Sequence, residues 1–108
     1  MDQLHAFLVT LACEVPLMLW LARRLPAPRV LLAALSANCL SHPVAWRVAS
    51  LFPPDNYWSG VWLIEGSVIA FEAGWYWLWL RTGFPKTLAW SFLANAGSLS
   101  LGWLLWLV

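Results

Sequence analysis

Glu72-Ala-Gly-Trp-Tyr-Trp-Leu-Trp-Leu-Arg81-Thr-Gly-Phe-Pro-Lys86-Thr-Leu-Ala-Trp-Ser-Phe-Leu-Ala-Asn95-Ala-Gly-Ser98-Leu-Ser-Leu-Gly-Trp103 reads as two apolar helices around a tight basic turn. One carboxylate lies inside the first helix and one carboxamide inside the second. The chain carries the same pattern earlier. Glu14 precedes Arg23 by nine residues as Glu72 precedes Arg81, and Arg29 precedes Asn38 by nine as Lys86 precedes Asn95. On that register Ala37 matches Ala94, Ser41 matches Ser98 and Trp46 matches Trp103. The expectation is a duplicated helical hairpin.

Composition decides where such a hairpin can live. Of 108 residues, 62% are hydrophobic, only 10% are charged and ten are tryptophan. A soluble domain of this size needs more charge to cover its surface. Four apolar runs, at about 4–22, 30–50, 58–80 and 87–107, approach the ~20 residues that cross a ~30 Å hydrocarbon core. The predicted fold is therefore all-α, an integral membrane four-helix antiparallel bundle in a single domain spanning 1–108. Its two hairpins are parallel repeats related by an axis along the membrane normal.

The placement of charge orients the bundle. Arg23, Arg24 and Arg29 lie in the loop at 23–29, and Arg81 and Lys86 in that at 81–86. Asp2 and Asp55 lie at the other end, with Arg47 as the basic residue there. Basic loops stay cytoplasmic, so both termini face outward. The tryptophans divide into two belts, with Trp20, Trp75, Trp77, Trp79 and Trp90 towards the cytoplasmic ends. Trp46, Trp58, Trp62, Trp103 and Trp106 fall towards the outer ends, as amphipathic rings do at headgroup level. The expected location is a cell membrane, taken as the bacterial inner membrane. The expected partners are the lipid bilayer and either further copies or a larger membrane complex. A net charge of +1 offers no surface for nucleic acid.

Thr10-Leu-Ala-Cys13 has the outline of a lipoprotein cleavage box, but no basic residue leads into it. The first segment is thus expected to span rather than be removed. Pro16 and Pro43 should each kink a helix or free a carbonyl. Gly66, Ala70 and Gly74 form a small-every-fourth stripe that lets membrane helices approach closely. Cys13 and Cys39 lack CxxC spacing and read as small apolar residues.

The candidate site is polar and intramembrane. Counting along each helix puts Glu14, Asn38, Glu72 and Asn95 within ~5 Å of the midplane, with His42 and Glu65 about a turn further out. Ser41 and Ser98 are supporting polar groups on the same faces. Leu99 and Phe7 stand where a strict repeat would put His42 and Glu65, so an asymmetric His–Glu pair is expected above a symmetric Glu–Asn layer. A charged group at bilayer centre costs at least ~2.5–3.5 kcal/mol, so these side chains must be neutral, paired or holding a cation.

Three functions fit those residues. In the first, Glu–Asn hydrogen bonds only fix helix register, and the protein is an accessory, scaffold or assembly subunit of a membrane complex. In the second, the cluster binds or passes a cation, a metal or a proton. Glu14 and Glu72 would then be the principal ligands, Asn38 and Asn95 amide-oxygen ligands and His42 with Glu65 an outer relay, with Glu14, Glu72, His42 and Glu65 the set for a divalent metal; without a metal the two carboxyls would share one proton. The third is a Glu/His intramembrane hydrolase. It has little to stand on, because H-E-x-x-H, G-x-S-x-G and Walker patterns are all absent and Ser41 and His42 point about 100° apart on a helix.

Overall fold

A computed structural model describes residues 3–107, with side chains through Leu105. The charge of Asp2 and the belt position of Trp106 lie outside what is described. The chain forms four helices: α1 (Gln3–Leu21), α2 (Ala27–Ala49), α3 (Tyr57–Leu80) and α4 (Phe84–Leu107). A single 3-10 turn, Pro54–Asn56, leads into α3, and no strand occurs among the described residues. By length and composition two helices are able to cross a membrane, Gln3–Leu21 and Phe84–Leu105. The other two are less apolar for a visible reason. α2 carries Asn38, His42 and Arg47, and α3 carries Glu65, Glu72 and five tryptophans.

Two helices begin earlier than the sequence suggests. α2 starts at Ala27 and α4 at Phe84, each with proline in its first turn, at Pro28 and Pro85. Proline fits there because the first N–H groups of a helix have no intrahelical acceptor to lose. The turns shrink accordingly, and Arg29 and Lys86 become first-turn helical residues. Both internal prolines sit within continuous helix. Each withholds one backbone donor, leaving the carbonyls of Ala12 and Cys39 without their usual partner.

α3 ends on Arg81, which adopts the left-handed conformation (φ 54°) and donates its N–H to the Trp77 carbonyl at 3.3 Å. A residue with a Cβ pays ~1–2 kcal/mol for that geometry. Arg81→Gly should therefore raise thermal stability in detergent by ~1 kcal/mol, less the larger chain entropy of glycine when unfolded.

Short turns make successive helices antiparallel neighbours, and α4 closes the ring against α1. The diagonal pairs, α1 with α3 and α2 with α4, make no backbone approach of that kind. The bundle is 42 Å long and only 25 by 18 Å across. Its core is lopsided. The buried apolar side chains Met18, Ala22, Val30, Ala33, Ala34, Ala37, Ala73, Tyr76, Leu80 and Ala94 all lie between the level of Glu14 and the turns after α1 and α3. Small residues dominate that list and let the helices close tightly. At the end bearing the termini, the main close packing is the Phe52 ring against Gly60, where a Cβ would meet the ring at 2.7 Å. The bundle is closed at one end and splayed at the other.

Close approach does not use the stripe the sequence suggests. Nothing in the chain lies within 4 Å of a Cβ built on Gly66 or Gly74, so that face of α3 points outward. A close approach lies instead at α1–α4, where a Cβ built on Gly97 would meet Leu17 Cδ1 at 3.0 Å and Cys13 Sγ at 3.4 Å. A Cβ at 97 would require the Leu17 side-chain end to give by a few tenths of an ångström.

Candidate functional site

Above the packed half, the four helices part around a cavity of about 240 Å³. All eight polar residues singled out from the sequence line it: Glu14, Asn38, Ser41, His42, Glu65, Glu72, Asn95 and Ser98. Helical spacing brings them together. Asn38, Ser41 and His42 lie within about one turn of α2; Asn95 and Ser98 do so on α4; Glu65 and Glu72 are two turns apart on α3. Ala6, Ala49, Tyr57, Gly102 and Trp103 complete the lining near the chain-terminus end. The cavity is thus a vestibule that runs from that end down to the two inner carboxyls.

The floor is a hydrogen-bonded layer. The Ser41 hydroxyl donates to Glu72 Oε2 at 2.9 Å, and the Asn95 amide donates to Glu72 Oε1 at 2.8 Å. Asn95 also donates to the Ser91 carbonyl at 2.9 Å. Across the bundle, the Ser98 hydroxyl donates to Glu14 Oε2 at 3.0 Å. The same contact therefore occurs twice, each time from one hairpin to the other: α2 serine to α3 glutamate, and α4 serine to α1 glutamate. Glu14 and Glu72, on diagonal helices, line the same cavity. Both are buried, Glu14 at 1% and Glu72 at 0% exposure.

The layer is less symmetric than the sequence suggests. Asn38 donates to its own helix, at the Ala34 carbonyl (2.8 Å), matching the Asn95–Ser91 bond. It makes no counterpart to the Asn95–Glu72 bond, and Glu14 Oε1 is left buried with no protein donor. Back-bonding to the preceding turn is the local alternative always open to an asparagine within a helix.

The expected His42–Glu65 pair is also different. Both line the vestibule and both are half-buried, but no ion pair joins them among the described residues. The His42 ring packs against Phe7 (centroids 5.2 Å apart) and stacks on Trp46 (6.1 Å), and its Nδ1 has no hydrogen-bond partner. Among the described residues no three His, Cys, Asp or Glu side chains are grouped to hold a metal ion, so the four ligands suggested by the sequence do not form one cage. Cys13 lies in the α1–α4 seam and Cys39 is exposed. Ser41, whose hydroxyl is engaged by Glu72, is no nucleophile partner for His42.

One residue of the site escaped the sequence analysis. Tyr76 is fully buried below Glu72, and its hydroxyl has no partner. The signal was present: Glu65, Glu72 and Tyr76 follow the i, i+7, i+11 spacing of a single helix face. The ten-tryptophan background made one more aromatic look unremarkable.

These observations define a class: an all-helical four-helix bundle with a polar, blind-ended vestibule on its axis. Comparison with family models, with curated proteins and with solved structures finds no match for the chain.

Proposed function

We propose that this is a multi-pass membrane protein whose vestibule floor is a proton- or cation-binding site built on Glu14 and Glu72. The membrane reading is supported by an inverted distribution of side chains. Glu14, Asn38, Ser41, Glu72, Thr87, Ser91 and Asn95 are buried, whereas Leu4, Leu8, Trp20, Leu32, Trp62, Leu63, Leu78 and Leu104 are among the large apolar groups left outside. Water would not tolerate that exterior on a monomer, but hydrocarbon would. All four helices then span, with the basic turns inside and the vestibule mouth outside.

The duplicated hairpin draws support from burial. Many positions paired by the register are buried together, namely Glu14 with Glu72, Met18 with Tyr76, Ala22 with Leu80, Val30 with Thr87, Ala34 with Ser91, Ala37 with Ala94 and Asn38 with Asn95, whereas Ala33, Ser41 and Ala73 are buried opposite half-buried Trp90, Ser98 and Val15. Together with the reciprocal serine–glutamate bonds, this is what a parallel repeat about the bundle axis would produce.

One observation carries the site: two buried carboxyls line one cavity, and one of their oxygens, Glu14 Oε1, lacks any protein donor. A shared proton or a bound cation removes both problems. Unfolding stability, measured in detergent across pH, should contain a proton-linked step. Stability is present while the proton bridges the pair and is lost as rising pH leaves two facing negative charges. Glu14→Gln, which supplies an N–H in place of that proton, should abolish the step while the protein still unfolds cooperatively. An unchanged pH profile in Glu14→Gln would end the proposal.

A second reading, an accessory or scaffold subunit of a larger membrane complex, is favoured by the outward stripe of Gly66, Ala70 and Gly74. That face is shaped for a close helix neighbour that the chain itself does not provide. A stoichiometric partner retained through purification, and lost on Gly74→Leu, would support it. The Glu/His hydrolase reading has no such observation behind it.

A further inference from the structure

We propose that the vestibule binds a small organic cation bearing N–H donors, a primary ammonium on an apolar body, entering at the chain-terminus end and hydrogen-bonding to Glu14. This rests on the membrane and carboxyl-site reading above and names the ligand class of that site.

Charge comes first. Glu14, Glu65 and Glu72 line the cavity, no lysine or arginine does among the described residues, and His42 is the one lining side chain that can carry a positive charge, so three carboxyls outnumber the cationic groups that the chain supplies there. The second point is independent of charge. Glu14 is 1% exposed, lines the cavity, and holds its Oε1 without a donor, whereas Glu72 has both oxygens served by Ser41 and Asn95. An unserved buried acceptor calls for a donor, and an ammonium brings three. His42 Nδ1, also unpartnered, stands higher on the same wall as a further acceptor.

The upper lining is aromatic. Trp46, Tyr57 and Trp103 contribute to the same cavity, and Trp103 is held edge-on by Trp58 at 4.8 Å between centroids. Ring faces attract cations and also accept an apolar body, so the rim suits both halves of such a ligand. Size narrows the choice. A cavity of about 240 Å³ holds roughly eight waters at ~30 Å³ each, too roomy for a bare ion in direct contact with its ligands. It falls just below the ~300–1,000 Å³ of drug-sized sites. A metal would also lack a cage of three suitable side chains among the described residues. The blind floor, where Met18 and Tyr76 fill the axis, means that the ligand enters and leaves by the same mouth.

The test uses the full-length protein in zwitterionic lipid nanodiscs, titrated with three probes that share a phenethyl body and read by tryptophan fluorescence and thermal shift. The probes are phenethylammonium, its trimethylammonium analogue and 2-phenylethanol. Saturable one-site binding of phenethylammonium is expected, at least tenfold tighter than the trimethyl analogue, which has charge but no N–H. The neutral alcohol should show only unsaturable partitioning. Glu14→Gln should weaken phenethylammonium binding at least tenfold. If that variant fails to fold, Trp103→Leu at the rim should still weaken binding several-fold. Equal binding of the alcohol, or unchanged binding in the variant that folds, overturns the inference. A proton-linked stability step without amine saturation overturns this inference alone. Loss of that step together with amine saturation overturns the proton bridge and keeps the amine site, and absence of both overturns both.

Discussion

Replacing Glu72 with alanine is expected to destabilise the bundle by about 2–6 kcal/mol, enough to abolish cooperative unfolding in detergent. The carboxyl receives the Ser41 hydroxyl on one oxygen and the Asn95 amide on the other, and both donors are buried. Each buried donor left without a partner costs ~1–3 kcal/mol. Glu72→Gln keeps the shape and one acceptor but turns an N–H towards a donor, so its cost should be about half as large. Ser41→Ala should cost least, since it removes a donor and leaves Glu72 one other partner. The order Ala, then Gln, then Ser41→Ala is measurable by thermal or denaturant unfolding. A flat series would mean that the floor layer contributes nothing to holding α2, α3 and α4 together.

The second large effect is expected at Tyr76. Its ring is the largest fully buried side chain and fills the axis immediately under the carboxyl layer. If the bundle sits in lipid as proposed, the transfer free energy that drives burial in water largely disappears, because the surroundings are as apolar as the core. The packing and cavity loss remains, so Tyr76→Ala should cost about 2–4 kcal/mol, towards the lower end of aromatic truncations. It should also open the floor, extending the vestibule towards the turn after α3. Tyr76→Phe keeps the ring and removes a hydroxyl with no partner, so it should be neutral or stabilising by up to ~1 kcal/mol. If the phenylalanine variant instead loses stability, the hydroxyl is satisfied by a bound water or ligand, and the floor is wetter than the protein contacts imply.

The two results together would separate hydrogen bonding from packing in the same layer. Glu72 tests whether polar contacts between helices are worth more here than the ~0.6 kcal/mol typical of membrane proteins. Tyr76 tests whether the closed end is sealed by shape. A vestibule with a firm floor favours binding from one side over passage through the bundle. Passage would need the packed half around Met18, Ala34, Ala37 and Tyr76 to open, which their burial makes costly.

The residues of the site were legible before any coordinates because each is an anomaly in its own segment. Glu14, Asn38, His42, Glu65, Glu72 and Asn95 are ionisable or amide groups in runs of leucine, alanine and tryptophan, and the cost of placing them in hydrocarbon singles them out. Helical periodicity then put them on inward faces, and the register between hairpins paired them. The number of helices and their extents followed from the apolar runs, within three residues at the proline-led starts of α2 and α4.

What periodicity does not carry is the choice among partners at one depth. It placed Glu14 beside Asn38 and Glu72 beside Asn95 with equal force, yet only Asn95 reaches its glutamate. It made a pair of His42 and Glu65, which tertiary packing separates by giving the imidazole to Phe7 and Trp46. It read Gly66 and Gly74 as a helix contact, whereas rotation of α3 turns them outward and gives the close approach to Gly97. By itself the sequence determined an all-helical hairpin pair with its polar groups on the inner faces, because spacing along a helix fixes which side chains share a face. Only the tertiary structure decided that one end closes on small residues while the other opens, and that one carboxyl oxygen has no donor. Those features depend on how four faces rotate and tilt against one another, which no single helix encodes.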